Sequence, residues 1–460
     1  MSNQEDRLSV RDVCDGIIGY RSSVSTELYE NALKELTSLN FPGTRDEDWR
    51  YTSLKKFTSG KLVIQEGSSA RIESIDSILK SENHIVMVNG RIDRTLSGIP
   101  SGHEFFKIIN SSDSLPEIFI CDRFSNSSDS KNSDTRGSGV FSPDKNRAPQ
   151  RSSSSRLVFP LLNDLATEEI VLITLPEGVS ETLEITHVAC LDENSDTGKT
   201  PIVSPRIFVH AAKGAKLSLI EHFISMGQSE YITNHVGEFI LEDNSSVNHI
   251  KIQRESDKAL HISNLFSEQG ENSVFKNVNL TFGSILSRNE IYPRVTSSNS
   301  EAWLVGASVL GSNQQVDNFT VIDHIAPNSE SHELYKGLYG DSSKGVFSGT
   351  IIVQREAQKT NAYQSNSSLL LSDVAESNSR PQLRIWADDV KCSHGATIGQ
   401  LDEDSLFYLR ARGIPDKEAR LMLTKAYISE VITHLEFDNL ISFVEGIIEN
   451  KVDVLLESQL

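Results

Sequence analysis

The chain has 460 residues, of which 37% are hydrophobic and 23% charged, with a formal net charge of −20, values that fit a globular polypeptide with one large core or two to three domains. The acidity speaks against DNA or RNA as a partner, because phosphate contacts need basic patches and none is visible. The longest apolar runs are only a few residues, too short for a membrane-spanning helix.

Residues 8–40 place apolar side chains at helical spacing, among them Val13, Ile17, Ile18, Leu28, Leu33 and Leu36, which predicts a helical N-terminal region over 1–60 that Pro42 and Gly43 interrupt. Trp49 and Tyr51 in the acidic-aromatic segment after that break read as packing residues. The opening residues MSNQEDRLSV lack the basic and apolar regions of a secretory signal, so a cytoplasmic location is expected. Over 61–122, the runs KLVI, HIVMVNG and EIFICD suggest short strands in a small mixed region. The stretch 123–156, with SNSSDSKNSD and RSSSSR, offers almost nothing apolar to bury and is expected to be a flexible serine-rich insertion.

From Leu157 to about residue 401 strand-like runs are broken repeatedly by Gly, Asn, Asp and Ser, with no long helical pattern. Turn-plus-strand starts recur at GAKLSL, NSSVNH, NSVFKN and SEAWLV, and place Leu217, Val247, Phe275 and Trp303 at intervals of 30, 28 and 28 residues. A period of that size suits a β-solenoid, in which coils stack over a shared apolar column; a β-sandwich is the competing arrangement. His210, His222, His235, His249, His261, His324 and His332 stud this region without a recognised ligand spacing and read as structural. No Walker A order, G-x-S-x-G elbow or H-E-x-x-H helix is present.

The most informative stretch is 381–413, PQLRIWADDVKCSHGATIGQLDEDSLFYLRARG. Leu383, Ile385 and Ala387 alternate with polar or exposed positions as in a half-buried strand, which is expected to continue through Val390. Asp388, Val390, Cys392 and His394 would then share one face, with a thiol and an imidazole within reach of one metal ion. Two donors are too few for a stable site, and the other cysteines, Cys14, Cys121 and Cys190, lie far away in sequence. Any soft-metal site at Cys392 must therefore take ligands from another chain or be transient. Beyond it, Asp402 or Asp404 can cap a short helix that Gly413 ends, and two amphipathic helices follow after Pro415 and from about Asp438. Residues 402–460 thus form a helical end region, suited to docking or to capping the solenoid.

The run ADDVKCSHGATIGQLDEDSLFYLRARGI resembles the C-terminal signature of the SufB/SufD family, in its SufD branch. FPGTRDEDWRYTSL near the start, SRNEI at 287–291, and the long block from DHIAPNSESHELYKG to NAYQSNSSLLLS resemble the same family, in its order. The resemblance covers most of the chain and is weakest over 123–156. It implies a mainly β protein, a right-handed parallel β-helix with helical N- and C-terminal regions. It also implies a non-catalytic scaffold subunit of the SUF iron-sulfur cluster assembly system, paired with SufB and with SufC ATPase subunits. In that reading residues 402–460 dock the SufC ATPase, ATP enters only through SufC, and reduced flavin is a possible component of the complex. Cys392 and His394 match the family's interface motif and are candidate transient ligands for iron or an iron-sulfur cluster shared with SufB. The location is then the cytoplasm, or the plastid stroma for a processed plastid protein. A SufB-like sulfur-accepting scaffold is the alternative within the fold, disfavoured because no cysteine lies between Cys190 and Cys392. From another class, a β-helix polysaccharide-active enzyme would need paired carboxylates, and adjacent Asp388 and Asp389 on a strand would point to opposite faces.

Overall fold

The computed structural model describes residues 10–21, 27–55, 61–64, 72–81, 83–98, 104–111, 156–191 and 198–457. The serine-rich stretch 123–155 and Cys121 lie outside the described residues. The molecule is mainly β, with a parallel β-solenoid of about seven turns and helices toward both ends of the chain. Among the described residues two sheets face each other, one of 11 strands and one of 10. Each coil gives one strand to each sheet: Leu260–Gln269 to the first, for example, then Val274–Thr281 to the second. Every such strand pairs in parallel with its counterpart one coil away.

The turn chemistry explains why the period is legible. Gly214, Asn244, Asn272, Asn299 and Asn328 each stand two residues before a strand of the second sheet, with φ between 56° and 69°. Gly adopts this left-handed region at no steric cost, and Asn tolerates it better than most side chains. The turns are also stitched across coils, as in Asn244 N–H donating to the Glu271 carbonyl at 2.7 Å and Asn272 N–H to Ser298 at 3.1 Å.

The register corrects one member of the expected repeat. Leu217, Val247 and Phe275 do pair in a column, but the next member is Ala302. Trp303, one residue on, points to the opposite face because side chains alternate along a strand. It lies on the outer surface, where it stacks on His332. The inward columns build the main core, with Ile207, Val209, Phe239, Leu265 and Ile291 from the first sheet meeting Leu219, Val247, Phe275 and Leu304 from the second.

The chain also contains a helix where only strands were expected. Residues Val158–Ala166 form a short α-helix, all nine residues buried. Pro160 sits in its first turn, where it costs no hydrogen bond, and Asn163 fixes it to the solenoid by donating to the carbonyls of Pro205 and Asn234. With helices Val10–Arg21 and Glu27–Leu36 it covers the outer face of the first sheet, packing on Ile202, Ile232, Leu260, Ile262 and Leu286. Of the predicted early strands, Lys61–Val63 and His84–Val88 are present, and both join the solenoid sheets. At the other end, Glu403–Arg410, Asp416–Ile432 and Asp438–Glu457 are helical, with Asp402 as the cap of the first, its carboxylate accepting from Ser405 N–H at 2.9 Å. The second and third of these cover the outer face of the second sheet through Ile428, Val431, Val444, Ile448 and Leu455 on Ile250, Val278, Val305 and Val309.

Candidate functional site

Cys392 and His394 lie on the strand Lys391–Gly399, the last of the second sheet. That strand does not run back through Val390. The preceding strand, Glu376–Ile385, belongs to the first sheet, and residues 386–390 turn between the two. The turn is held from the coil beneath: Asp389 N–H donates to Gln358 Oε1 at 3.0 Å, and Lys359 N–H donates to the Asp389 carbonyl. Asp388 and Val390 therefore do not share the strand face of Cys392 and His394. Asp388 and Asp389 are exposed turn residues and not members of a strand.

The cysteine and histidine do share a face, and the register identifies it. Cys392 continues the column Ala302, Ser331, Ala362, and His394 continues Leu304, Glu333, Gln364. Both columns are buried in the coils below, so both side chains belong to the inward face at the open end of the solenoid. Cys392 is half-buried and packs with Ile351, Val353, Ala362 and Ala387. Burial raises its thiol pKa against a weaker lowering by the Ala362 backbone, so the group is a neutral thiol near pH 7 and metal binding must displace its proton. His394 is exposed.

Among the described residues neither final strand has a partner along its outer edge. Ile385, Trp386 and Ile398 on this end are 38, 45 and 47% exposed. An unpaired strand edge flanked by exposed apolar side chains is a template for strand addition by another chain.

The other histidines occupy a different place. Glu221, fully buried in the second sheet, is hydrogen-bonded by two imidazoles, His187 at 2.7 Å and His249 at 2.8 Å, and a third, His235, lies 3.3 Å from it. Nearby, Lys251 reaches His261 at 2.9 Å and Asn289 at 2.7 Å, and His261 reaches Glu255 at 2.6 Å. Burial lowers His235 and His261 to about 4, Glu221 and Glu255 opposing it, so these rings are neutral at pH 7. The neutral rings solvate the two carboxylates inside the solenoid in place of water. Among the described residues no group of three or more His, Cys, Asp or Glu side chains is arranged to hold a metal ion. His332 lies outside, between the rings of Trp303 and Tyr363. His187 was not singled out from sequence, although its position on the inward alternation would have placed it here.

The C-terminal helices leave a second exposed apolar surface. Phe407, Tyr408 and Met422 are 73, 55 and 46% exposed, with the Arg412 guanidinium 3.6 Å from the centre of the Tyr408 ring. Among the described residues no helix is long and apolar enough to cross a membrane.

Residues 193–427 match the family model described as the SUF system FeS cluster assembly SufBD core domain. The chain is similar to an iron-sulfur cluster assembly SufBD family protein of Synechocystis, 28% identical over 436 residues that cover 92% of this chain and 90% of that protein. It is 28% identical over 413 residues to a chloroplastic protein of Arabidopsis thaliana, ABCI7, covering 88% of this chain and 81% of that one. It is 26% identical over 415 residues to the iron-sulfur cluster assembly protein SufD of Escherichia coli, covering 89% and 88%. A solenoid that ends on an unpaired cysteine-histidine strand, carried by a sequence matched over more than half its length, places this chain in the SufBD core family of the SUF iron-sulfur cluster assembly system.

Proposed function

We propose that this chain is a SufD-type scaffold subunit, without catalysis of its own, that pairs through its open solenoid end with a SufB subunit and through its C-terminal helices with a SufC ATPase. The observation that carries this reading is the coincidence of the unpaired edge strands with the inward-facing Cys392 and His394. The iron-sulfur cluster is cargo: this chain offers one thiolate and one imidazole, and the partner completes the ligand set. ATP acts only through the SufC subunit, and reduced flavin is a further candidate component of the assembled complex. Absence of cysteine between Cys190 and Cys392 favours this role over that of a sulfur-accepting SufB-type scaffold. The chloroplastic relative supports a plastid stroma location as an alternative to the cytoplasm.

The test is copurification with SufB and SufC, followed by iron and sulfide analysis. Cys392→Ala with His394→Ala should lower recovered iron and sulfide several-fold while complex yield is kept. Little apolar area is lost, so stability should fall by about 1 kcal/mol or less. Full iron and sulfide loading in the double variant, with the complex intact, would sink the ligand assignment.

The ATPase contact calls for surface substitutions. Removing residues 404–460 would also strip Val444, Ile448 and Leu455 from the second sheet and so damage the solenoid itself. Phe407→Ala with Met422→Ala leaves that packing in place and should weaken SufC capture by roughly tenfold or more, at an unchanged melting temperature. Capture at wild-type strength would move the ATPase contact elsewhere.

A further inference from the structure

The inward column that ends at His394 contains a second layer of donors. Directly beneath His394 in the register lies Gln364, and beneath that Glu333. Both are buried, at 2 and 3% exposure. The Gln364 amide nitrogen donates to one Glu333 carboxyl oxygen. Its own carbonyl oxygen and the other Glu333 oxygen are buried without a hydrogen-bond partner. Unpaired polar atoms cost about 1–3 kcal/mol each in a folded interior, so two of them one and two coils below an open metal-capable end call for a ligand. The opposite sheet makes room for this arrangement. A Cβ on Gly349 would lie 2.2 Å from the Gln364 amide nitrogen and 2.9 Å from its amide carbon; only glycine lets the side chain extend across the solenoid there. Gln364 thus stands between a carboxyl that orients it and the Cys392–His394 edge.

We propose that Gln364 supplies the inner oxygen donor of the edge site, its amide turned by Glu333, so that a divalent first-row metal ion entering the open end meets a sulfur, a nitrogen and an oxygen from this chain. This rests on the reading of Cys392 and His394 as the edge ligands. Oxygen donors suit ferrous iron, a borderline ion that accepts thiolate, imidazole and carbonyl ligands together. Glu333 is a positioning residue: its carboxyl engages the amide nitrogen and leaves the carbonyl oxygen to the metal. Loss of a supporting group of this kind costs about 10- to 100-fold in metal affinity.

The experiment is anaerobic titration of the full chain with cobalt(II), reading both affinity and the thiolate-to-cobalt charge-transfer absorption. Cys392→Ala should abolish that absorption. Gln364→Leu should weaken cobalt binding at least tenfold yet keep the absorption at saturation. Gln364→Glu, which retains an oxygen donor but gives up the N–H that Glu333 holds, should keep the absorption and bind more tightly than Gln364→Leu. Gly349→Ala, which pushes the amide aside, should resemble Gln364→Leu. Wild-type affinity in Gln364→Leu, with Cys392→Ala inactive, overturns the role of Gln364 and leaves the edge pair standing. Unchanged absorption in Cys392→Ala overturns the edge site itself and the assignment of Gln364 with it. Should Gln364→Leu fail to fold, Gly349→Ala decides: wild-type affinity there overturns the proposal, and a tenfold loss with the absorption kept supports it.

Discussion

Lowering the pH from 7 to 5 is expected to cut the melting temperature of this protein by roughly 5 °C. Four imidazoles are responsible. Burial holds His222 at about 3 and His235, His261 and His324 at about 4, against an ordinary value of 6.5. For each, the unfolded chain binds a proton between pH 6.5 and the folded value that the native state refuses. Stability is therefore present above 6.5 and is lost as pH falls toward 4, by about 1.4 kcal/mol per pH unit and group. Glu333 works the other way. Burial raises it to about 7, so the native state holds an extra proton between 7 and the ordinary 4.5, and stability grows as pH falls through that window. With one group offset, the net slope is about 4 kcal/mol per pH unit, against a total stability on the order of 5–15 kcal/mol. Calorimetry or circular dichroism melts at pH 7, 6 and 5 check it. His324, whose ring nitrogens lie 3.0 and 2.8 Å from the hydroxyls of Ser329 and Ser331, provides a single-site control: His324→Asn should flatten the slope by about 1.4 kcal/mol per pH unit. A melting temperature constant within two degrees from pH 7 to 5 would show that these rings are not the buried neutral groups they are taken for.

The solenoid was legible because its turns need left-handed residues. Gly214, Asn244 and Asn272 announce the coil length in the sequence itself, and the apolar residue three positions later enters the core. Trp303 departs from the column because a period of 28 residues does not hold at that coil. The coil from Phe275 to Ala302 is one residue shorter than read, and a one-residue slip moves a side chain to the other face. The pattern of 383–390 also runs on into Cys392 as though one strand, since alternation continues across a tight turn even when the chain changes sheets. The edge pair was legible as a C-x-H spacing, its position at an unpaired end was not: pairing partners and their absence are properties of the assembled sheets. Gln364 and Glu333 could not be read at all. They lie 30 and 61 residues before His394, and only the register brings them under it. The buried polar interior was likewise hidden, because a histidine on an alternating strand looks the same whether it faces water or, like His235 and His249, a buried carboxylate.

Arg288→Leu is expected to destabilise the protein by about 3–5 kcal/mol, the cost of leaving buried charge without its counter-ion. The guanidinium is 1% exposed. It donates to Glu290 at 2.6 Å and to Asp317 one coil away, and its carbon lies 3.8 Å from the centre of the Trp49 ring. Trp49 also stacks on Phe159, and the neighbouring Thr52 hydroxyl donates to the same Asp317. Two of the sequence blocks that carried the family resemblance, FPGTRDEDWRYTSL and SRNEI, are therefore one structural unit. The arginine is the rivet through it. Its removal strands two buried carboxylates and unseats the N-terminal segment from the first sheet at once. Arg288→Lys keeps the charge and loses the planar fork and the stacking, so an intermediate cost is expected. Arg288→Met combined with Asp317→Leu and Glu290→Leu should recover much of the loss, because apolar groups of similar volume replace a buried ion cluster at little or no net cost. Denaturant midpoints for the four proteins, read alongside limited proteolysis of the segment around residues 41–54, distinguish the contributions. If Arg288→Leu were as stable as wild type, or the triple variant no better than the single, uncompensated charge would not be what holds this layer in place.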